Sequence, residues 1–284
     1  RRGGRGKVGM GTKEEDFVSL LFVATMHSSI MFFTDTGKVH WLKVHEIPEA
    51  GRAAKGKAIV NLLNLAPGER ISAILPVREF AEGKFVVMAT AKGVVKKTDL
   101  MEFSRPRSGG IIALGLNEGD SLIATEITEG EDDVFLPTKG GMSIRFREAG
   151  VRPMGRTAVG VRGITLEEGD EVVGMEILRP RGTMLTVTAN GFGKRSAVEE
   201  YRLQSRGGKG VITLKVTEKT GAVLGVAQVS DEDEVMLVTD GGKIIRMPVA
   251  EIRISGRNTQ GVRLIGMEED ERVASLARLA EKEE

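Results

Sequence analysis

The sequence contains no cysteine, which excludes disulfides and cysteine-ligated zinc and fits a reducing, cytoplasmic setting. Aromatic residues are scarce, with one tryptophan and one tyrosine in 284 residues. That argues against recognition of single strands by base stacking. Proline is also scarce, 8 against 37 glycines, so the turns rely on glycine, as in a turn-rich all-β protein. Neither charge sign is in excess. Lys and Arg number 41 and Asp and Glu 40, a formal net charge of +1, so only segregation of the two signs would favour a polyanion. The longest apolar runs, such as Phe17 to Met26, are too short to span a bilayer. No apolar core follows the N-terminal charges, as a signal peptide requires.

What the sequence does have begins at its first residue. Arg1, Arg2, Arg5 and Lys7 are cationic, and Gly3, Gly4 and Gly6 lie between them. Such a segment is too polar for a buried strand and too glycine-rich for a stable helix. It reads as a surface loop that lets its backbone approach a partner while the cations neutralise it. Nucleic acid is the first candidate partner. Alone, a basic heptad is equally well a solvated chain end. Echoes of it at a regular period tip the balance.

Apolar runs ending in Thr34, Thr90, Thr138, Thr188 and Thr239 are each followed three residues later by Gly37, Gly93, Gly141, Gly191 and Gly242, at steps of 56, 48, 50 and 51. Each is a hairpin signal. Four returning strands carry a cation four residues past the glycine: Lys97, Arg145, Arg195 and Arg246; Lys96 and Lys194 stand beside two of them, and His40 and Trp41 occupy the pair of positions in the first. Basic or small loops close on Gly6, Gly56, Gly110, Gly160, Gly210 and Gly261. They supply Arg52, Lys55, Arg105, Arg107, Arg156, Arg206, Lys209 and Arg257. Further strands open at Phe17, Ile71, Leu122, Val172, Val223 and Val273. Repeats of about fifty residues with four short strands each predict propeller-like blades around an axis. Equivalent turns of such a ring lie on one surface, so the hairpin and loop cations should gather on a basic rim. The acid clusters at 131–133 and 231–234 should gather away from it. Six loops and six strands stand against five hairpins, which predicts a single domain over 1–284 whose first blade is incomplete at the N-terminus.

Arg1-Arg2-Gly3-Gly4-Arg5-Gly6 resembles the GyrA box of the C-terminal domain of the DNA gyrase A subunit. Ile59-Val60-Asn61-Leu62-Leu63, Ile71 to Val77, Gly160-Val161-Arg162-Gly163-Ile164 and Gly256 to Val262 are similar to that domain in order and spacing. The resemblance implies a six-bladed β-pinwheel whose blades exchange strands; the spacing alone equally allows an ordinary propeller. It implies a rim that wraps duplex DNA with positive, right-handed sense, and a box at Arg1 to Gly6, extended by Lys7, that closes the wrap. The expected partners are duplex DNA and the remaining gyrase A and gyrase B subunits, with no membrane and a monomeric isolated domain. ATP and Mg belong to other parts of the holoenzyme, and no cofactor or metal is expected here. The alternatives are a propeller scaffold that binds an acidic protein, and the related domain of topoisomerase IV.

Other signals carry less. Residues 4–9 match the dinucleotide fingerprint literally, but no strand precedes them and no helix follows. His27, His40 and His45 lack matched metal ligands, Tyr201 reads as structural or rim-facing, and no serine has a nearby His-acid arrangement. We find no catalytic constellation.

Overall fold

A computed structural model describes residues 7–8, 24–49 and 61–279, with the backbone alone for 7–8. The described residues form five antiparallel-hairpin sheets. Strand β1 is Lys7–Val8. Blade 1 is built on the hairpin of β2 (Ser29–Thr34) and β3 (Lys38–Lys43), with β4 (Ile71–Val77) beside β2. Blade 2 has β5 (Phe85–Thr90) and β6 (Val94–Asp99). The chain then returns to blade 1, where β7 (Ile111–Ile112) pairs with β3. It next adds β8 (Leu122–Thr128) to β5.

The same path recurs. Blade 3 has β9 (Asp133–Pro137) and β10 (Met142–Arg147), and β11 (Val161–Arg162) goes back to β6 before β12 (Glu176–Leu178) joins β9. Blade 4 has β13 (Thr183–Thr188) and β14 (Phe192–Ala197). β15 (Leu203–Gln204) and β16 (Val211–Ile212) return to β10, and β17 (Val223–Val229) joins β13. Blade 5 has β18 (Glu234–Thr239) and β19 (Lys243–Pro248), after which β20 (Val262–Arg263) returns to β14 and β21 (Val273–Leu279) joins β18. Each of the first four blades thus borrows its outermost strand from the repeat that follows. β1 does for blade 5 what β7 does for blade 1: Val8 opposes Lys243 as Ile112 opposes Lys38.

The expected six blades are therefore five sheets among the described residues. A sheet here needs a central hairpin, and the sequence supplies five. The strand after the first basic loop completes the fifth sheet rather than starting a sixth. The sequence landmarks at Phe17 and in residues 51–56 lie outside the described residues.

The five Thr-x-x-Gly signatures have one physical cause. In each turn the glycine N–H donates to the threonine carbonyl at 3.0 Å. The threonine hydroxyl accepts from the N–H four residues on, at 3.1 to 3.2 Å. Gly141 shows why glycine is required: its φ is +89°, and a Cβ there would sit 2.3 Å from the Leu214 carbonyl oxygen, where the borrowed strand passes.

The central strands are buried on both faces, which explains their unbroken apolar runs. Met31 and Phe33 of blade 1 pack on Val86 and Met88 of blade 2 and on Phe103. Val87 and Ala89 turn to Val134 and Leu136 of blade 3. Phe135 meets Met184 and Tyr201, with ring centroids of Phe135 and Tyr201 5.0 Å apart and edge to face. Leu185 and Val187 pack on Val235 and Leu237. Each fully buried Phe, Leu or Val contributes about 1.5–3 kcal/mol. Strands β4, β8, β12, β17 and β21 neighbour one another on the inside, which leaves the borrowed strands on the outer edge.

Candidate nucleic-acid interface

The hairpin cations do not form the rim expected of them. Lys96 and Lys194 are fully buried, and their ammonium groups donate to backbone carbonyls of neighbouring loops. Burial pushes both down to about 8. Lys97 is buried against the Phe85 ring, 4.9 Å from its centroid, and lies 3.6 Å from Glu148 Oε1. Arg195 is buried and donates to Thr183 Oγ1, Val249 O and Asp231 Oδ1. Arg145 pairs with Asp133 at 2.7 Å and donates to the carbonyls of Val198 and Tyr201. Arg246 alone among them is well exposed, and it pairs with Glu234. The reason is geometric. The buried side chains lie mid-strand in sheets covered on both faces, so each of these cations except Arg246 reaches groups of the next repeat instead of solvent.

The acid clusters are corrected with them. Asp133, Asp231 and Glu234 do not stand apart from the cations but receive Arg145, Arg195 and Arg246. Asp133 also holds Arg147 at 3.0 Å.

The basic loops closing on Gly110, Gly160, Gly210 and Gly261 do lie at the outer edge, because each leads into a borrowed strand. Their closing glycines serve the fold. Gly210 has φ +79°, and a Cβ there would lie 2.1 Å from the Ser143 carbonyl oxygen. The close approach of Gly110, Gly160, Gly210 and Gly261 is thus to the chain's own backbone, in β3, β6, β10 and β14. Three loop arginines act as clips between successive repeats. Arg156 donates to Ile112 O at 3.0 Å, Arg206 to Arg162 O at 3.2 Å and Arg257 to Ile212 O at 2.7 Å. Lys209 is exposed and pairs with Glu167 at 3.0 Å. Arg105 and Arg107 are exposed. Arg1, Arg2, Gly3, Gly4, Arg5, Gly6, Arg52 and Lys55 lie outside the described residues, and the Lys7 backbone pairs with Ile244.

Sequence reasoning missed three cations. Arg152, Arg202 and Arg253 follow the short 3-10 turns after β10, β14 and β19, and each is exposed. Each precedes a residue that pairs in parallel with a strand of the preceding blade: Pro153 with Lys97 in β6, Leu203 with Arg145 in β10 and Ile254 with Arg195 in β14. They therefore stand in register along the outer edge, one in each of three successive repeats, without an ion pair among the described residues. Their common distance of eight residues before the loop glycines was the available signal. Arg162 and Arg263 add two exposed cations at the ends of borrowed strands.

The profile of the DNA gyrase C-terminal domain, beta-propeller, matches residues 1–25, 28–78, 84–129, 132–179, 183–230 and 233–280. The chain belongs to this family. The DNA gyrase A protein of Salmonella typhimurium is 55% identical over 281 residues, which cover 99% of this chain and 32% of that protein. Its Escherichia coli K12 counterpart is 53% identical over the same shares. The chain thus spans about a third of the length of the curated relatives it matches. Among solved structures, a DNA gyrase A C-terminal domain superposes with TM-score 0.88 at 24% identity, covering 98% of this chain and 91% of that one. A topoisomerase IV C-terminal domain gives 0.80 at 26%, covering 90% and 80%.

In this gyrase-family domain the inner strands border a cavity of about 570 Å³ lined by Glu126, Glu176, Arg179, Gln228 and Arg278. Crowding by protein raises both carboxyls to about 7, even though Glu126 is open to water in the cavity. His40 lies 3.9 Å from Glu69, and burial lowers its imidazole. The Tyr201 hydroxyl is buried against Thr213 Oγ1 at 2.8 Å, the structural of the two roles expected for it. No cluster of three metal-ligating side chains occurs among the described residues, and no helix among them is long and apolar enough to cross a membrane.

Proposed function

We propose that this chain binds duplex DNA along its outer edge and bends it into a right-handed wrap. The wrap would let gyrase A, acting with gyrase B and with ATP and Mg bound elsewhere, introduce negative supercoils. In this reading the chain is itself non-catalytic, and the box from Arg1 to Lys7 clamps one end of the path. The observation that carries the reading is the register of Arg152, Arg202 and Arg253, exposed on the edge in three successive repeats. Wrapping calls for many phosphate contacts along an arc rather than a few base contacts. Bending each 20–30 bp costs about 1–6 kcal/mol, and counterion release at spaced cations offsets it. Net charge is no obstacle, because local placement decides, and Arg152, Arg202 and Arg253 stand exposed on the edge without an ion pair among the described residues.

The test is a series of duplexes of increasing length titrated at several salt concentrations. Wrapping requires affinity that climbs beyond about 30 bp and a steep salt slope. An affinity already saturated on one short duplex would refute it and favour the scaffold for an acidic protein.

A further inference from the structure

Two blades hide a lysine where two others hide isoleucine. Lys96 in β6 and Lys194 in β14 occupy the position taken by Ile144 in β10 and Ile245 in β19, and all four side chains are buried. The sheet therefore does not need the ammonium, and isoleucine fills the place without the cost of burying a charge. What the lysine adds is three hydrogen-bond donors. Lys96 Nζ donates to Ala113 O at 2.6 Å, Gly155 O at 3.0 Å and Arg156 O at 2.6 Å. Lys194 Nζ donates to Gly256 O at 2.6 Å, to Arg257 O and to Ser196 Oγ at 3.3 Å.

Gly155-Arg156 and Gly256-Arg257 are the same two places in the loops closing on Gly160 and Gly261. Both loops are also held from the other side. Glu102 accepts the Arg156 backbone N–H at 3.3 Å, and Glu200 accepts that of Arg257 at 3.1 Å. The loop at 206–210, seated over Ile144, has Ser205-Arg206 at these places and no ammonium beneath. Gly207 is held instead by its N–H to Gly163 O at 2.7 Å and by Thr165 Oγ1 at 2.6 Å, so loops with and without an ammonium beneath alternate over 155–261.

We propose that Lys96 and Lys194 are positioning residues for the DNA wrap: without touching DNA, they lock alternate loops so that the duplex meets a preset surface there. This rests on the wrapping reading above. Preorganisation of this kind removes an ordering cost that binding would otherwise bear at every repeat.

The test replaces both lysines with the residue that sister blades already carry, Lys96→Ile and Lys194→Ile. Amide hydrogen exchange should quicken by about tenfold or more at 155–160 and 256–261 and stay unchanged at 206–210. Affinity for a duplex of about 25 bp should stay within about twofold, since every side chain that reaches a phosphate is kept. The linking-number change per bound chain on ligated nicked circles should fall to about half or less, as the preset path is lost. A full wild-type linking change in a variant whose loops exchange faster would overturn the proposal alone. A wild-type chain that binds but leaves linking number untouched would sink the wrapping reading, and this proposal with it. Should the double variant not fold, Ile144→Lys places a pin under 206–210, and slower exchange there is the expected result; unchanged exchange overturns the proposal.

Discussion

Arg195 and Arg246 occupy the same position in successive repeats, yet the structure assigns them different work, and their removal should separate the two. The Arg195 side chain is 3% exposed and donates to Thr183 Oγ1 at 3.0 Å, Val249 O at 2.8 Å and Asp231 Oδ1 at 2.6 Å. The Arg246 side chain is 60% exposed and meets Glu234 alone. Removing one member of a buried pair costs about 3–5 kcal/mol. Two features place Arg195→Leu at the lower end. Asp231 is 67% exposed and rehydrates, and Val249 O keeps the bond from the Ile252 N–H. We expect about 3 kcal/mol for Arg195→Leu and about 0–1 kcal/mol for Arg246→Leu, an exposed pair. Urea denaturation of both variants, compared through midpoint and slope, checks this. Losses equal within about 0.5 kcal/mol would refute the assignment of hairpin cations to the inter-blade core. So would an Arg195→Leu chain of unchanged stability that binds DNA less steeply with salt.

Replacing Arg152, Arg202 and Arg253 by alanine should reduce the salt slope of DNA binding by about 0.9 for each phosphate no longer neutralised, while moving stability by no more than about 0.5 kcal/mol per site. An unchanged slope would remove them from the path. Tyr201→Phe leaves Thr213 Oγ1 without its 2.8 Å partner and should cost about 1–2 kcal/mol in urea melts. The cavity carboxyls predict a pH effect. Glu126 and Glu176 titrate near 7 when folded and near 4.5 when unfolded, so the folded state holds protons that the unfolded state has released. Their contribution to stability is therefore full below pH 4.5 and is lost as pH rises through 7. Glu126→Gln with Glu176→Gln should flatten that fall between pH 5 and 8, with Arg179, Arg278, Glu129 and Asp132 still facing the cavity. A double variant that keeps the wild-type slope would refute the assignment.

Much of the fold is legible because one turn repeats. Threonine and glycine three apart are both required by the same hydrogen bonds, so the hairpins and their period appear directly in the sequence. The strand exchange is not legible, since each borrowed strand is two residues long and carries no period of its own. Counting loops gives six blades where the described residues form five sheets, because each of those sheets is built on a hairpin. The cations show a further limit. Period gives register but not depth, and it puts Lys97, Arg145 and Arg195 on a rim they do not reach. A sequence signal does exist: Asp133 precedes Arg145, and Glu234 precedes Arg246, by twelve residues, one hairpin across. Apolar runs without alternation already imply strands covered on both faces, where a mid-strand cation has no water to meet.

The most direct test of the account is topological. The chain is added to nicked circular DNA, the nick is ligated, the protein is removed, and linking number is read on a gel. Right-handed wrapping around the outer edge predicts a shift toward positive linking number that grows with the amount of chain bound. Saturated binding with no shift, or a shift of negative sign, would contradict it.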